Sequence, residues 1–363
     1  WCLPNLIGMR SLSHLVSAVY RRLQLRRYRG WMVRGQRSSR CLLAYMPTRQ
    51  QGWILDFLWR DLCEELKQIP EIDSGVVSSS KQLKDAIRGR DVYVVALSIN
   101  DLKTLLDQGF PPERIIFYHT HVRLGVELEK LDLLHGVLVL NGFERELVAM
   151  RKVSRRRIHL FPAGFNPALF RMPDSSSPRS IDVLFVGRYR QGINGYYHQR
   201  KRYLFQVNLA ERLVQQGLSV AFLGKDWQHC EYSLDSRVQL LDLPHNRYGS
   251  IYAKTRLVCS VAGQEGGPVS FLEGLACGCL MVSVPTGFIN DLQLAQAACW
   301  TLPLLASEQI WAEQIVQILG EYQQITAAQQ ATRDRYLLDA RFSSLAQKLV
   351  SICWPCNLED QTF

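Results

Sequence analysis

Short apolar runs of strand length recur along this 363-residue chain with helix-patterned stretches between them, and the pattern stops once and restarts. The first series reads as strands at 41–46, 92–97, 115–118, 136–140 and 158–161, with helices at 53–66, 102–106 and 144–150. The second reads as strands at 182–186, 219–223, 238–241, 257–261, 280–284 and 300–302, with a helix at 201–216 and others between. Alternation at this spacing predicts parallel βαβ units, because a parallel strand pair needs a crossover, usually helical. Residues 170–180, with Pro173, Pro178 and four serines, interrupt the series and read as a linker. The expected architecture is α/β: two doubly wound domains, 41–170 and 176–340, facing each other across a cleft. The C-terminal helix, within 341–363, is expected to return to the first domain. In such sheets ligands bind outside the carboxyl ends of the strands.

Charge is placed unevenly. Before Asp56 the chain has no acidic residue but ten arginines, which account for the whole net charge of +10. A nucleic-acid enzyme spreads basic charge over its working surface; here it is confined to one end, and no nucleic-acid partner is expected. Residues 1–40 read as a basic extension, and Leu12, Leu15, Val16, Val19 and Leu23 give it a helical apolar stripe flanked by Arg22, Arg26 and Arg27. Such a helix lies on an anionic membrane surface or packs on its own domain, and the residues leave both readings open. A secretory signal is not expected, because the basic residues follow the apolar stretch; an Arg- and Ser-bearing organelle transit peptide stays open. No apolar run reaches the length of a transmembrane helix. Ten scattered cysteines, several within apolar segments, read as buried reduced thiols and favour a cytoplasmic setting. The spacing of Cys353-Trp-Pro-Cys356 is that of a redox motif, but it follows a helix instead of opening one after a strand.

Residues 265–292, EGGPVSFLEGLACGCLMVSVPTGFINDL, carry the most chemistry. Val269, Leu272 and Ala276 fall on one helical stripe, and Glu273 takes its i+4 place. A carboxylate on a buried face is costly unless hydrogen-bonded, so either a hydroxyl-bearing ligand or an arginine partner is expected there. Gly266 and Gly267 precede the helix, with Pro268 suited to its first turn, and exposed N–H groups at a helix start suit a phosphate. Phosphate together with hydroxyls points to a nucleotide sugar.

Three segments in order resemble a known family. HLFPAGFNPALF (159–170) is similar to the stretch before an interdomain linker, and DVLFVGR (182–188) to the strand that opens a donor domain. Glu265 and Glu273 stand in an E-x7-E register, continued by GLACGCLMVSVPTGFINDL. The chain thereby resembles the GT-B glycosyltransferases, in particular their retaining, family-4-like branch (glycosyl transferases group 1), strongly in its C-terminal half and weakly before residue 110. The resemblance implies two Rossmann-like domains and transfer of a hexose from a nucleoside-diphosphate sugar, with retention, to a glycan or lipid-linked acceptor. It implies roles by position. Glu273 holds the ribose hydroxyls, Glu265 lies beside the transferred sugar, and the backbone of Gly266 and Gly267 lies near its hydroxyls and the diphosphate. Arg188 neutralises the diphosphate as the leaving charge develops. Relatives carry a lysine a few residues later; here Arg188 is followed by Tyr189, Arg190, Gln191 and Gly192, so Lys201 or Arg190 takes that place. His121, two residues after His119, stands where relatives place a histidine near sugar and acceptor. Gln51-Gly52 stands where they have two glycines near the diphosphate, so Gly52 joins the donor site. Gly164 fits the interdomain glycine, and Asn166 replaces the usual aspartate.

No Asp-x-Asp motif occurs, so no essential metal and no cofactor beyond the co-substrate is expected. The setting implied is surface polysaccharide or glycolipid synthesis, in the cytoplasm and peripheral on the inner face of the membrane through residues 10–40. Two other functions share the architecture: a sugar-nucleotide 2-epimerase and a non-catalytic binding subunit.

Overall fold

The computed structural model describes residues 40–47, 54–120, 131–174, 177–191, 195–289 and 299–355. The basic extension through Ser39, Gln51, Gly52, His121 and Cys356 lie outside the described residues. Two compact units divide the chain: 1–139 with 147–159 and 346–363, and 140–146 with 160–345.

The first sheet contains β1 (Arg40–Tyr45), β2 (Ile72–Val77), β3 (Asp91–Ala96), β4 (Ile115–His119), β5 (Gly136–Val139) and β6 (Ile158–Leu160), ordered β2-β1-β3-β4-β5-β6. Between these strands run α1 (Ile54–Leu66), α2 (Ser80–Ala86), α3 (Ile99–Asp107) and α4 (Gly142–Met150), the last divided at residue 146 between the two units. β1 pairs in parallel with both β2 and β3, and its Cys41–Tyr45 are all buried, the near-continuous apolar run of a strand covered on both faces. β2 and α2 were not expected from the sequence. The strand reads IDSGVV, poor in β-formers, because it lies at the sheet edge. There Asp73 pairs with Arg90 at 2.6 Å, and the Ser74 hydroxyl donates to the Cys63 carbonyl at 2.6 Å.

The second sheet contains β7 (Ile181–Val186), β8 (Val220–Leu223), β9 (Gln239–Leu241), β10 (Thr255–Ser260), β11 (Leu280–Ser283) and β12 (Cys299–Thr301). All its pairings are parallel, in the order β12-β11-β10-β7-β8-β9. Its helices are α5 (Gly195–Lys201), α6 (Tyr203–Gln215), α7 (Tyr248–Tyr252), α8 (Val269–Ala276), α9 (Glu308–Gly320) and α10 (Tyr322–Asp339). A final helix, α11 (Phe342–Cys353), closes the order. From Ala346 onward its residues belong to the first unit, where His135 Nε2 lies 2.8 Å from the Ile352 carbonyl and Trp354 Nε1 donates to Asp91 at 2.7 Å.

By contacts, residues 160–170 fall in the second unit. The reason is packing: Phe170 is buried, with its ring 5.5 Å from His245 and 5.9 Å from Tyr252. The helix read at 201–216 is found at Tyr203–Gln215, and a separate helix, Gly195–Lys201, precedes it across Arg202, which adopts a left-handed φ of 54°. Its guanidinium lies 3.8 Å over the Phe205 ring and donates to the Val261 carbonyl, interactions that hold the break.

The eight described cysteines are free, and all but Cys230 are buried. Burial pushes the Cys63, Cys279 and Cys299 thiols up to about 12, so they pack as small apolar groups. No helix among the described residues is long and apolar enough to cross a membrane.

Acid should weaken the first unit. Burial holds His135 and His159 below their ordinary value of 6.5, with Arg114 and Arg157 adding to the first and Lys348 to the second. The folded form therefore binds fewer protons than the unfolded one, so stability is present above about 6.5 and declines as the pH falls toward the lowered native values. Thermal unfolding across that window should show the decline, and His159→Gln should flatten it; an unchanged slope would show that His159 plays no part.

Candidate functional site

The site is built at the carboxyl ends of the second sheet. β10 runs out at Ser260 and leads to Glu265, Gly266 and Gly267, which precede α8. Pro268, read as first-turn, is the residue just before the helix, and no side chain caps this N-terminus. Glu265 is fixed at both ends of its residue. Its N–H donates to the Thr286 hydroxyl at 3.0 Å, and its carboxylate lies between two cations. Lys201 Nζ donates to Oε1 at 2.5 Å, and Arg200 Nη1 to Oε2 at 3.3 Å and to the Gln264 carbonyl at 2.9 Å. All three side chains are mostly withdrawn from water, at 12%, 24% and 16% exposure for Arg200, Lys201 and Glu265. The break at Arg202 ends α5 at Lys201, so the two cations sit together where that helix stops, and the Gly263 N–H ties the Arg200 carbonyl to the β10 loop at 2.8 Å.

Of the two replacements considered for the missing lysine, Lys201 is brought to Glu265. Arg190 lies on the β7 loop, its carbonyl 2.8 Å from His198 Nε2. Arg188 sits at the end of β7, half-exposed, and its Nε donates to Asp226 Oδ2 at 2.5 Å. Asp226 was not anticipated: it stands on the loop after β8 with a left-handed φ of 70°. The Tyr203 hydroxyl donates to the Arg188 carbonyl at 2.8 Å and Trp227 Nε1 to the Gly187 carbonyl at 2.7 Å, so the arginine stands on an aromatic base of Tyr189, Tyr203 and Trp227.

Gly267 has a reason to be glycine besides backbone access: a Cβ there would lie 2.1 Å from the ring of buried Phe288. Glu273 is buried, with 2% of its surface exposed, in a helix whose residues from Phe271 to Ala276 are all buried. The arginine partner considered for it is not what it has. His245 Nε2 lies 2.6 Å from Oε1, and the Tyr252 hydroxyl donates to Oε2 at 3.0 Å. His245 and Tyr252 are the partners that the sequence reading missed; they come from the turn after β9 and from α7, and no spacing pattern links them to Glu273. Burial and the adjacent carboxylate push Tyr252 well above 10, which keeps it an O–H donor.

No family model and no curated protein matches the sequence. Solved structures do. HepE from Anabaena in complex with UDP-glucose is 13% identical, covering 86% of this chain and 98% of its own, with a TM-score of 0.60. Sucrose-phosphate synthase from Thermosynechococcus elongatus is 15% identical over 86% and 98%, with a TM-score of 0.65. A glycosyltransferase from Rickettsia africae is 12% identical over 87% and 98%, with a TM-score of 0.65. With its two parallel six-stranded sheets and their flanking helices, the chain has the GT-B fold of these proteins.

Proposed function

We propose that this chain is a retaining glycosyltransferase that moves a hexose from a nucleoside-diphosphate sugar to a glycan or lipid-linked acceptor. The observation that carries the reading is the cluster of Glu265 with Arg200 and Lys201, followed eight residues later by a second buried carboxylate, Glu273, on the helix that the first precedes. An acidic side chain bearing two cations at the strand ends suits a donor that is anionic at its diphosphate and rich in hydroxyls at its sugar. Lys201 and Arg188 stabilise the charge that develops on the leaving diphosphate, and Asp226 holds Arg188 in place beforehand. Glu265 fixes Lys201 and Arg200 and accepts from the sugar hydroxyls; Glu273 accepts from the ribose. Gly52 and His121 are assigned to the diphosphate and acceptor side of the reaction, and the chemistry needs no metal. The fold shared with HepE, a structure in complex with UDP-glucose, supports a nucleotide-sugar donor. The ten arginines before Asp56 favour an acceptor made at an anionic membrane, in polysaccharide or glycolipid synthesis, with the protein peripheral on the cytoplasmic face.

A donor panel tests this. UDP-, GDP- and ADP-hexoses are incubated with and without soluble glycans and polyprenyl-linked or lipid acceptors, and free nucleoside diphosphate is measured. Release that depends on an acceptor is expected. Interconversion of the sugar without acceptor would make the protein an epimerase, and failure of every nucleotide sugar to bind would make it neither.

A further inference from the structure

The carboxylate of Glu273 is almost wholly buried, yet its partners are a phenol and an imidazole rather than a fixed cation. Each carboxylate oxygen receives one donor, so two of its roughly four acceptor positions are used. The remaining pair can accept from the two hydroxyls of a vicinal diol. His245 is itself held firmly. It opens a 3₁₀ turn behind Pro244 and is packed 5.2 Å from the Tyr248 ring and 5.5 Å from Phe170, with 12% of its side chain exposed. Stability does not account for such a group, since buried polar pairs of this kind contribute little over apolar residues of the same shape. The carboxyl end of α8 is also fastened separately: Arg179 donates to the Cys277 carbonyl at 2.8 Å and to the carbonyls of Tyr252 and Thr255.

We propose that His245 is the positioning residue for ribose recognition: it fixes Glu273 Oε1 so that the open acceptor positions of the carboxylate meet the 2′- and 3′-hydroxyls of the donor. This rests on the assignment of Glu273 to the ribose. His245 thereby sets the preference of the site for ribonucleotides over deoxyribonucleotides, without touching the ribose itself. Without its hydrogen bond the buried carboxylate keeps only Tyr252, and its Oε1 is left to turn.

The test is calorimetric titration of the full chain with UDP, GDP and ADP and with their 2′,3′-dideoxy forms, using thereafter the base that binds tightest. The native protein should prefer the ribonucleotide by at least about tenfold, as hydrogen bonds to a charged acceptor require. His245→Phe, which keeps a ring and removes the N–H, should reduce that preference to about onefold while leaving the dideoxy affinity within about twofold of native. His245→Gln, whose amide can donate in place of the imidazole, should keep most of the preference, whereas the shorter His245→Asn should lose it; this pair decides the matter if the phenylalanine variant does not fold. Equal weakening of both ligands by His245→Phe, or equal preference in the glutamine and asparagine variants, would overturn the positioning role and leave the ribose assignment standing. Absence of any ribonucleotide preference in the native protein, or of binding by all the nucleotides, would overturn the ribose assignment and the proposal with it.

Discussion

Glu265→Gln is expected to lower kcat by about 10²- to 10³-fold, the usual consequence of removing one preorganised electrostatic element from a transition state. The substitution is nearly isosteric, so the loop between β10 and α8 keeps its shape, and the Thr286 hydroxyl still receives the backbone N–H of residue 265. What is lost is the negative charge that draws Lys201 and Arg200 together. A neutral amide keeps one acceptor oxygen and turns N–H donors toward the cation at the other position, so one of the two loses its present partner. If Glu265 works through those cations and the sugar hydroxyls, the loss falls mainly on kcat, with the donor KM changed much less. Steady-state rates with the donor found in the panel, beside circular dichroism of the variant, measure this. Turnover within about threefold of native would show the cluster to be a structural ion pair.

Gly224→Ala should destabilise the second unit by about 2–6 kcal/mol, combining backbone strain of about 1–3 with overpacking of similar size. Gly224 follows β8 with φ at +145°, and its N–H donates to the Leu241 carbonyl at 2.9 Å. A Cβ there would stand 2.3 Å from the Gly187 carbonyl oxygen and 3.2 Å from the Arg188 nitrogen. Both neighbours are backbone, so no side-chain rotation relieves the clash. The ends of β7 and β8 would have to separate, and Arg188 moves with them. Thermal unfolding and donor binding should therefore fall together. Gly320→Ala, at the end of α9 with nothing within 4 Å of the added methyl, is the control and should be neutral or stabilising by up to about 1 kcal/mol. A Gly224→Ala protein as stable as the control would mean that the two strand ends are free to part.

Much of the fold was legible because parallel strands buried on both faces must be apolar throughout, and the helices between them must carry one apolar stripe. Cys41–Tyr45 and Leu280–Ser283 announce themselves this way. The edge strand at Ile72–Val77 does not: a half-solvated strand tolerates Asp, Ser and Gly, and its place is fixed by pairing with β1. The helix break at Arg202 was equally hidden. Nothing local marks an arginine for a left-handed φ; Phe205 and the Val261 carbonyl hold it there. Proline and serine at 173–180 mark where a chain can bend, whereas the division between units follows which apolar side chains, such as Phe170, find a core.

The candidate site divides along the same line. By itself the sequence determined that Glu273 lies in a buried helix and that Glu265, Gly266 and Gly267 precede that helix, since an apolar helical run after a glycine turn is a local property. Only the tertiary structure decided what those carboxylates meet. Glu265 meets Arg200 and Lys201, which are 64 to 65 residues away along the chain; Glu273 meets His245 and Tyr252, 28 and 21 residues away. A buried charge demands a partner, and that demand is written in the sequence. Which side chain answers it depends on how loops at the ends of neighbouring strands converge, and that is settled by strand order and packing.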